Sequence, residues 1–297
     1  MSAAARARPG EPQSGLAAGW SAGAAVCASP LFDAVRAQLD DLCGAWDVAA
    51  LNSLAAKKQP AILSGGGVPL RFVVPAPLAA RSLRVIDPPY ELRAFARGEV
   101  ETRAGNWHDA FNALTWLAWP RAKAALNAVH FRHALADGSR RGAARDLATL
   151  FDEGGAVIAC SDPALAALVR EFRWKEAFCE RRAGVLARMR CYLFGHALLD
   201  KARAPYKAMT AHALIFPVPE DFFSQAPAQQ ISGLDAMAAA WFADDANLAS
   251  TAQLAPLPLL GFPGFCEASK NRGFYDDVTA FRTGRMRIGS MTAVRQS

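Results

Sequence analysis

GNWHDAFNALTWLAWP, residues 105–120, carries the clearest structural signal in this chain. Apolar side chains recur in it at helical spacing, at Trp107, Phe111, Leu114 and Ala118. Residues spaced i, i+4, i+7 and i+11 lie on one face of an α-helix. The stretch therefore predicts an amphipathic helix whose apolar face packs against a core.

The sequence also marks both ends of this helix. Asn106 is a favourable N-cap residue, and the side chains of Asn106 and Asp109 could each bond a free backbone amide in the first turn. Pro120 cannot continue the helix without losing a hydrogen bond, but it suits the first position of another helix. Residues 120–135, PRAKAALNAVHFRHAL, are therefore predicted as a second helix that meets the first at a sharp corner.

The remaining pattern predicts an α+β fold that is mainly helical and contains a small sheet. Apolar periodicity predicts helices at 29–46, 46–58, 146–153 and 234–245, and long helical patterning from Asp162 to about Ala204. Apolar runs rich in β-branched and aromatic residues predict one sheet built from the segments near 68–75, 156–160 and 211–218. YELRAFARGEV, residues 90–100, could be another strand. The Pro/Gly-rich segment 254–282 is expected to wrap the surface without regular elements.

Composition limits the class of protein. With 52% hydrophobic residues in 297, the chain has enough apolar material for a core, so disorder of the whole chain is excluded. No uninterrupted apolar run approaches the roughly 18–20 residues of a membrane-spanning helix. We predict a flexible N-terminal tail over residues 1–27, a single domain over 28–297, and no export signal.

The cysteines and the charge distribution indicate the compartment and one class of partner. Six scattered cysteines, without a CxxC pair or zinc-site spacing, are typical of reduced thiols in a cytoplasmic protein. The net charge is +6, and residues 170–203 contain nine Lys/Arg against four Asp/Glu. Such a segment could follow a phosphate backbone. No nucleic-acid motif accompanies it, so a solvated basic helix face is the favoured interpretation.

Several segments together resemble a bacterial family known as domain of unknown function 3025. The resemblance rests on VPLRFV, YELRAFARGEVETRAGNWHDAFNALTWLAWPRAKAALN, RDLATLFDEGG, FGHALLDKARAPY, PLPLLGFPGF and FYDDVTAFR. The resemblance extends over about residues 29–282, which implies one family domain and no particular activity. The chain departs from the family pattern at 265–269, where paired tryptophans are usual, and at Gly154, where the family usually has asparagine.

His108, followed by Asp109, is the leading candidate for a functional residue. A helix N-terminus favours anions, and Arg103 would add to this preference. The imidazole could bind a phosphate or carboxylate, ligate a metal or transfer a proton. Alternatively, Asn106 and Asp109 only cap the helix, and His108 bonds a neighbouring carbonyl. Asn112 shares the helix face of His108.

The other candidates are more ambiguous. His196 and His212 lie on apolar faces of a predicted helix and a predicted strand, where histidines are often satisfied core residues. His130 and His133 have a chelating i, i+3 spacing near a helix end. One carboxylate from each of the acid pairs Asp152–Glu153 and Asp276–Asp277 could join His108 or His196 in a cluster assembled by the fold, but the sequence assigns no metal site and no cofactor.

Three functional hypotheses follow. The first is an enzyme, such as a hydrolase of an anionic small molecule, with His108 as acid/base or ligand, Asp109 as its orienting carboxylate, and His196 or His212 as the second group. The second is a non-catalytic protein that holds an anion at the helix N-termini near Asn106 and Pro120, with Arg121 and Lys123 nearby. The third is a basic nucleic-acid or partner-binding module that uses residues 170–203.

Overall fold

The computed structural model describes residues 28–42, 46–75, 90–136 and 142–284. Its α-helices are α1 (Arg36–Asp41), α2 (Val48–Ala56), α3 (Tyr90–Arg97), α4 (Trp107–Ala118), α5 (Pro120–Ala136), α6 (Ala143–Gly154), α7 (Pro163–Arg170), α8 (Arg182–Arg188), α9 (His196–Lys201) and α10 (Pro227–Ala243). Its strands are β1 (Arg71–Val73), β2 (Glu99–Glu101), β3 (Gly155–Cys160), β4 (Met189–Leu193), β5 (Thr210–Pro217) and β6 (Ala255–Pro258). Short 3-10 turns and one π turn, Glu176–Glu180, connect several of these elements. The fold is α+β and mainly helical, as predicted.

The opening helix and its corner are confirmed. The Asn106 side chain accepts a hydrogen bond from the Asp109 amide at 3.1 Å, and Pro120 begins α5 directly after α4. Every residue from Asp109 to Ala118 is buried, so α4 has no solvent face beyond its first turn. Helices α2, α5 and α9 and the 3-10 turn Pro30–Val35 pack around it. This helix is therefore a central core helix rather than an amphipathic surface helix.

The main sheet has four strands in the order β4-β3-β5-β6. Strands β3 and β5 are parallel, while β4 and β6 each run antiparallel to their neighbour. All six residues of β3 are buried, as expected of a strand in the interior of a sheet that helices cover. The predicted strands near 156–160 and 211–218 are confirmed as neighbours in this sheet.

The prediction that segment 68–75 joins this sheet is wrong. Strand β1 instead pairs in parallel with β2 in a separate two-stranded sheet. The backbones come together at Gly98, which has a φ of +64° and where an added Cβ would lie 2.2 Å from the Pro69 carbonyl oxygen. The strand considered for residues 90–100 is also wrong for most of its length, because α3 extends to Arg97 and only Glu99–Glu101 is extended.

Two further elements differ from the prediction. The helical pattern expected to run to about Ala204 is interrupted by β4, whose backbone pairs with the buried strand β3. The Pro/Gly-rich segment 254–282 contains β6, which pairs with β5, and its residues Leu254–Phe262 are mostly buried. In both cases hydrogen bonding to a distant strand decides a structure that local periodicity does not reveal.

The buried apolar residues form one contiguous cluster, from Leu31 to Phe281, that includes both sides of the main sheet and helix α4. Within the described ranges, no helix is both long and apolar enough to cross a bilayer. The predicted N-terminal tail lies outside the described residues. The single domain stays a prediction, and unfolding measurements would test it.

Candidate functional site

A cavity of about 530 Å³ opens beside the N-terminal turn of α4. Its walls come from α3, from the segment joining β2 to α4, from α4 itself, and from the junctions around α6 and α9. The lining residues are Pro75, Tyr90, Glu91, Glu101, Arg103, His108, Asp109, Asn112, Asp152, Glu153 and His196. This cavity thus gathers residues from five separate parts of the chain.

Close backbone packing places His196 beside the end of α6. The amides of Phe194 and Gly195 both donate to the Gly155 carbonyl oxygen at 2.9 Å. A Cβ on Gly195 would lie 2.5 Å from the Glu153 carbonyl oxygen, so only glycine permits this approach. His196 follows immediately as the first residue of α9, and its side chain is thereby held next to that of Glu153.

Contacts between α4 and α9 bring His108 to the same point. The Thr115 hydroxyl donates to the Phe194 carbonyl at 3.2 Å, just before α9 begins. Beyond the other end of α9, the Arg203 guanidinium lies 4.2 Å from the centre of the Trp107 ring. The two helices are therefore tied together at both ends, and His108 lies opposite His196.

The two imidazoles and one carboxylate form a tight cluster. Nε2 of His108 lies 3.1 Å from Nε2 of His196, and the two rings are inclined at 74°. Oε1 of Glu153 lies 3.6 Å from the same His196 nitrogen. Each of the three residues offers one ligand atom, and all three atoms lie within 4.8 Å of one another. His196 is buried, while His108 and Glu153 are partly exposed. We call these three residues the His–His–Glu cluster.

A second layer of polar residues supports this cluster. Nζ of Lys123 donates to Asp152 Oδ1 at 2.6 Å and to Asn112 Oδ1 at 2.8 Å, and its side chain is only 4% exposed. The Asn112 amide donates in turn to the Tyr90 hydroxyl at 2.9 Å. The other Asp152 oxygen lies 3.7 Å from Nδ1 of His196, a buried atom that has no hydrogen-bond partner. Lys123 therefore holds Asp152 beside His196.

Burial and charge shift the pKa values at the site. Burial lowers the pKa of His196 to about 4, although the nearby Asp152 carboxylate opposes this shift. Burial raises the pKa of Glu153. For Asp152, burial would raise the pKa, but the charge of Lys123 and the hydrogen bond that it donates outweigh burial and lower the pKa. At neutral pH His196 is neutral and Asp152 is ionised.

Asp109 has a different partner from the one predicted. Its carboxylate accepts from the Arg103 backbone amide at 2.9 Å and from two guanidinium nitrogens at 2.7 and 2.9 Å. No hydrogen bond between the Asp109 carboxylate and His108 is found among the described residues. Asp109 therefore fixes the loop before α4, and among the described residues no hydrogen bond supports its predicted role as the orienting carboxylate of His108.

The N-terminus of α5 is not an open anion site. The buried Asp235 carboxylate from α10 accepts from the amides of Arg121 and Ala122 at 3.1 and 2.8 Å. The Arg121 guanidinium points to the Ser232 carbonyl, and Lys123 is buried against Asp152. Both predicted ligand-binding side chains, Arg121 and Lys123, are thus engaged by groups of the protein itself.

His212 does not join the other two predicted histidines. It lies in β5 opposite Gly155, with its ring behind Gly154, and it is not among the described residues that line the cavity. Of the other predicted site residues, Arg103 and Asn112 line the cavity, and Asn106 acts as the N-cap of α4. The sequence therefore predicted two of the three histidines correctly as cavity residues.

The basic segment 170–203 does not form a continuous helix face. It is divided among α7, the π turn, α8, β4 and α9. Arg173 pairs with Glu176, Lys175 with Asp276, and Arg188 with Asp162. The charge excess seen in the sequence is therefore dispersed over several surfaces and partly neutralised.

Comparison with protein families decides where the chain belongs. Residues 70–285 match the family described as "Protein of unknown function (DUF3025)". The chain belongs to this family. No curated protein and no solved structure shows significant similarity to it. The matched part of the DUF3025 chain contains all three residues of the His–His–Glu cluster.

In this DUF3025 protein the sequence offered two acid pairs, Asp152–Glu153 and Asp276–Asp277, and did not decide between them. Tyr90 and the supporting role of Lys123 were not predicted. The available signal was the conjunction of FDEGG and FGH, in which carboxylates and a histidine each adjoin glycines that allow close backbone contact. No local pattern could reveal that Lys123 is buried. Lys123 lies on α5, and the packing of the other residues of that helix determines where its side chain points.

Proposed function

We propose that this protein is a hydrolase of a small molecule and that its active site is the cavity around the His–His–Glu cluster. The observation that carries the proposal is the convergence of His108, His196 and Glu153 at one wall of that cavity. Three groups able to bind a water molecule and take its proton meet there beside space for a substrate.

In the proposed reaction the cluster binds and activates a water molecule. The water oxygen forms a bond to an electrophilic carbonyl carbon or phosphorus atom, and the bond from that atom to its leaving group breaks. The water gives up one proton as it attacks, and the leaving group receives a proton in exchange. Asp152 and Lys123 act as positioning residues, because Asp152 lies beside Nδ1 of His196 and Lys123 holds Asp152 in that place.

The charges around the cavity favour a neutral or positively charged substrate over the anionic one expected from the sequence. Five carboxylates line the cavity: those of Glu91, Glu101, Asp109, Asp152 and Glu153. Arg93, Arg103 and Lys123 pair with three of them. Among the described residues, neither Glu91 nor Glu153 has a lysine or arginine partner within 4 Å, so the cavity keeps a negative potential.

The two alternative functions have less support. An anion-binding protein would need free helix N-termini, but Asn106 caps α4 and Asp235 occupies the start of α5. A nucleic-acid module would need a continuous basic surface, but the basic segment is dispersed and partly paired. The cavity therefore remains the best-supported site.

A hydrolase screen tests the proposal. The purified full chain is assayed against neutral and cationic esters and amides and against uncharged phosphotriesters. We expect activity that falls at least about 100-fold in His108→Ala, the magnitude typical of losing an acid/base group, and that is unchanged in the control His133→Ala. His133 lies on α5 near Asp245, outside the cavity. Hydrolysis that survives in His108→Ala would refute the proposed site.

A further inference from the structure

We infer that the His–His–Glu cluster is a binding site for one divalent transition-metal ion of the Zn²⁺ type, with Nε2 of His108, Nε2 of His196 and the Glu153 carboxylate as ligands. The inference deepens the proposed function and rests on the same cavity. It adds the identity of the group that would activate water.

The distances fit such an ion. Zinc lies about 2.0–2.2 Å from imidazole nitrogens and carboxylate oxygens, so tetrahedral ligand atoms are about 3.3–3.5 Å from one another. The two imidazole nitrogens are 3.1 Å apart, and the glutamate oxygen is 3.6 Å from His196 Nε2. The third pair, His108 and Glu153, lies within 4.8 Å, so a movement of at most about 1–1.5 Å by the Glu153 carboxylate would complete the coordination. The side chain of Glu153 is 46% exposed and free to make that adjustment.

The environment of His196 favours ligation through Nε2. Its buried Nδ1 lacks a hydrogen-bond partner, and Asp152 Oδ2 lies 3.7 Å from it. A proton on Nδ1 facing Asp152 leaves the Nε2 lone pair directed toward the cluster. Metal-binding histidines usually have such a carboxylate or carbonyl behind them. Lys123 holds Asp152 in this position through its 2.6 Å contact.

The ligand set indicates the class of ion and the kind of site. Two imidazoles and one carboxylate suit zinc and neighbouring first-row divalent ions, whereas Mg²⁺ and Ca²⁺ prefer sites made of oxygen atoms. Three protein ligands leave at least one coordination position toward the cavity, which is typical of catalytic rather than structural zinc. An ion held there would lower the pKa of a water molecule toward neutrality, which is the chemistry that the proposed hydrolysis needs.

Within the described residues, the His–His–Glu cluster is the only group of three or more His, Cys, Asp or Glu side chains arranged to hold an ion. The expected stoichiometry is therefore one ion per chain. The pair His130 and His133, whose spacing suggested chelation, is not part of such a group.

Calorimetric titration of chelator-treated full chain with Zn²⁺ tests the inference. We expect one site per chain and a rise in melting temperature on Zn²⁺ addition. When Co²⁺ replaces Zn²⁺, we expect the visible absorption bands of Co²⁺ in a site with fewer than six ligands. Glu153→Gln and His108→Asn should each weaken Zn²⁺ binding at least about 100-fold. Asp152→Asn should weaken it about 10–100-fold, as is typical when the partner of a ligating histidine is lost. His133→Ala, the matched control, should bind like the unaltered chain.

The outcomes separate the ion from the reaction. Equal Zn²⁺ affinity in Glu153→Gln, His108→Asn and the unaltered chain, with all three folded by circular dichroism, would overturn the metal site. Stabilisation by Mg²⁺ or Ca²⁺ equal to that by Zn²⁺ would overturn the assigned class of ion. Stoichiometric zinc binding without hydrolysis of any substrate would support the metal site and count against the proposed reaction. Hydrolysis that persists undiminished in the chelated protein would support the proposed reaction and count against the metal site.

Discussion

The Lys123 ammonium is an unusual charge for its position, because it is buried among residues of three helices. It contacts Asp152 and Asn112 and lies 5.4 Å from the centre of the Trp116 ring. Removing a charge from water costs several kcal/mol, and such a pair persists only when its hydrogen bonds are well made. The geometry that supports the site is therefore also a point at which stability is sensitive to substitution.

Substituting this residue provides the first prediction. Lys123→Met removes the cation and leaves the Asp152 carboxylate without its partner. We expect a loss of about 3 kcal/mol in the free energy of unfolding, at the low end for buried pairs because Asp152 is 20% exposed. The double variant Lys123→Met/Asp152→Asn should recover part of that loss, since the uncompensated charge is gone. Urea denaturation of the two single variants and the double variant measures the coupling energy between Lys123 and Asp152. If the two changes in the free energy of unfolding simply add in the double variant, the prediction is contradicted.

The junction between α6 and β3 is decided by two adjacent glycines that have different roles. A Cβ on Gly155 would lie 2.3 Å from the Phe151 carbonyl oxygen, whereas a Cβ on Gly154 would meet only the His212 ring, at 3.3 Å. Only the second glycine is therefore required by close packing.

These two glycines make a matched pair of variants. Gly155→Ala should lower the free energy of unfolding by about 2 kcal/mol or more, because the new methyl group meets backbone that cannot move without displacing α6 from β3. Gly154→Ala should change it by less than about 1 kcal/mol, since the imidazole ring can shift slightly and alanine favours the helix. Thermal melts of both variants test this difference. Equal effects would show that the junction is more adaptable than the contacts indicate.

At the scale of the whole molecule, the cavity depends on a core that is continuous through the described chain. Buried side chains from Leu31 to Phe281 belong to one cluster. Tyr275, near the C-terminal end of the described residues, donates to the Gly261 carbonyl at 2.8 Å and so attaches the last segment to the rest. Parts of such a core cannot unfold without exposing their neighbours to water.

We therefore expect a single unfolding transition in urea. Tryptophan fluorescence, which reports on the buried Trp116, Trp119 and Trp174, should change at the same midpoint as far-UV circular dichroism. Two separate midpoints would contradict the predicted single domain and indicate independently folding parts. A fluorescence transition that precedes the loss of secondary structure would have the same meaning.

Much of the local structure was accessible from local patterns. Asn106, Pro120 and Asp162 lie at the helix ends where they were predicted, because capping and proline geometry act over only three or four residues. Buried strands β3 and β5 were also predicted, since their apolar runs are short and bounded by turn residues. Strands β4 and β6 were missed because the residues that they pair with in β3 and β5 are 29 to 48 positions away in sequence.

The sequence by itself determined the α+β class, the ends of the central helices, and His108 and His196 as candidates. Only the tertiary structure decided that these two histidines meet at Glu153, that His212 lies behind Gly154, and that Asp109 and Lys123 are engaged by other residues. The physical reason is range. Capping and periodicity act between neighbours along the chain, whereas a site requires side chains 43 to 88 positions apart to converge. Their convergence depends on how close two backbones can approach, as at Gly195, and on which charges burial forces to pair.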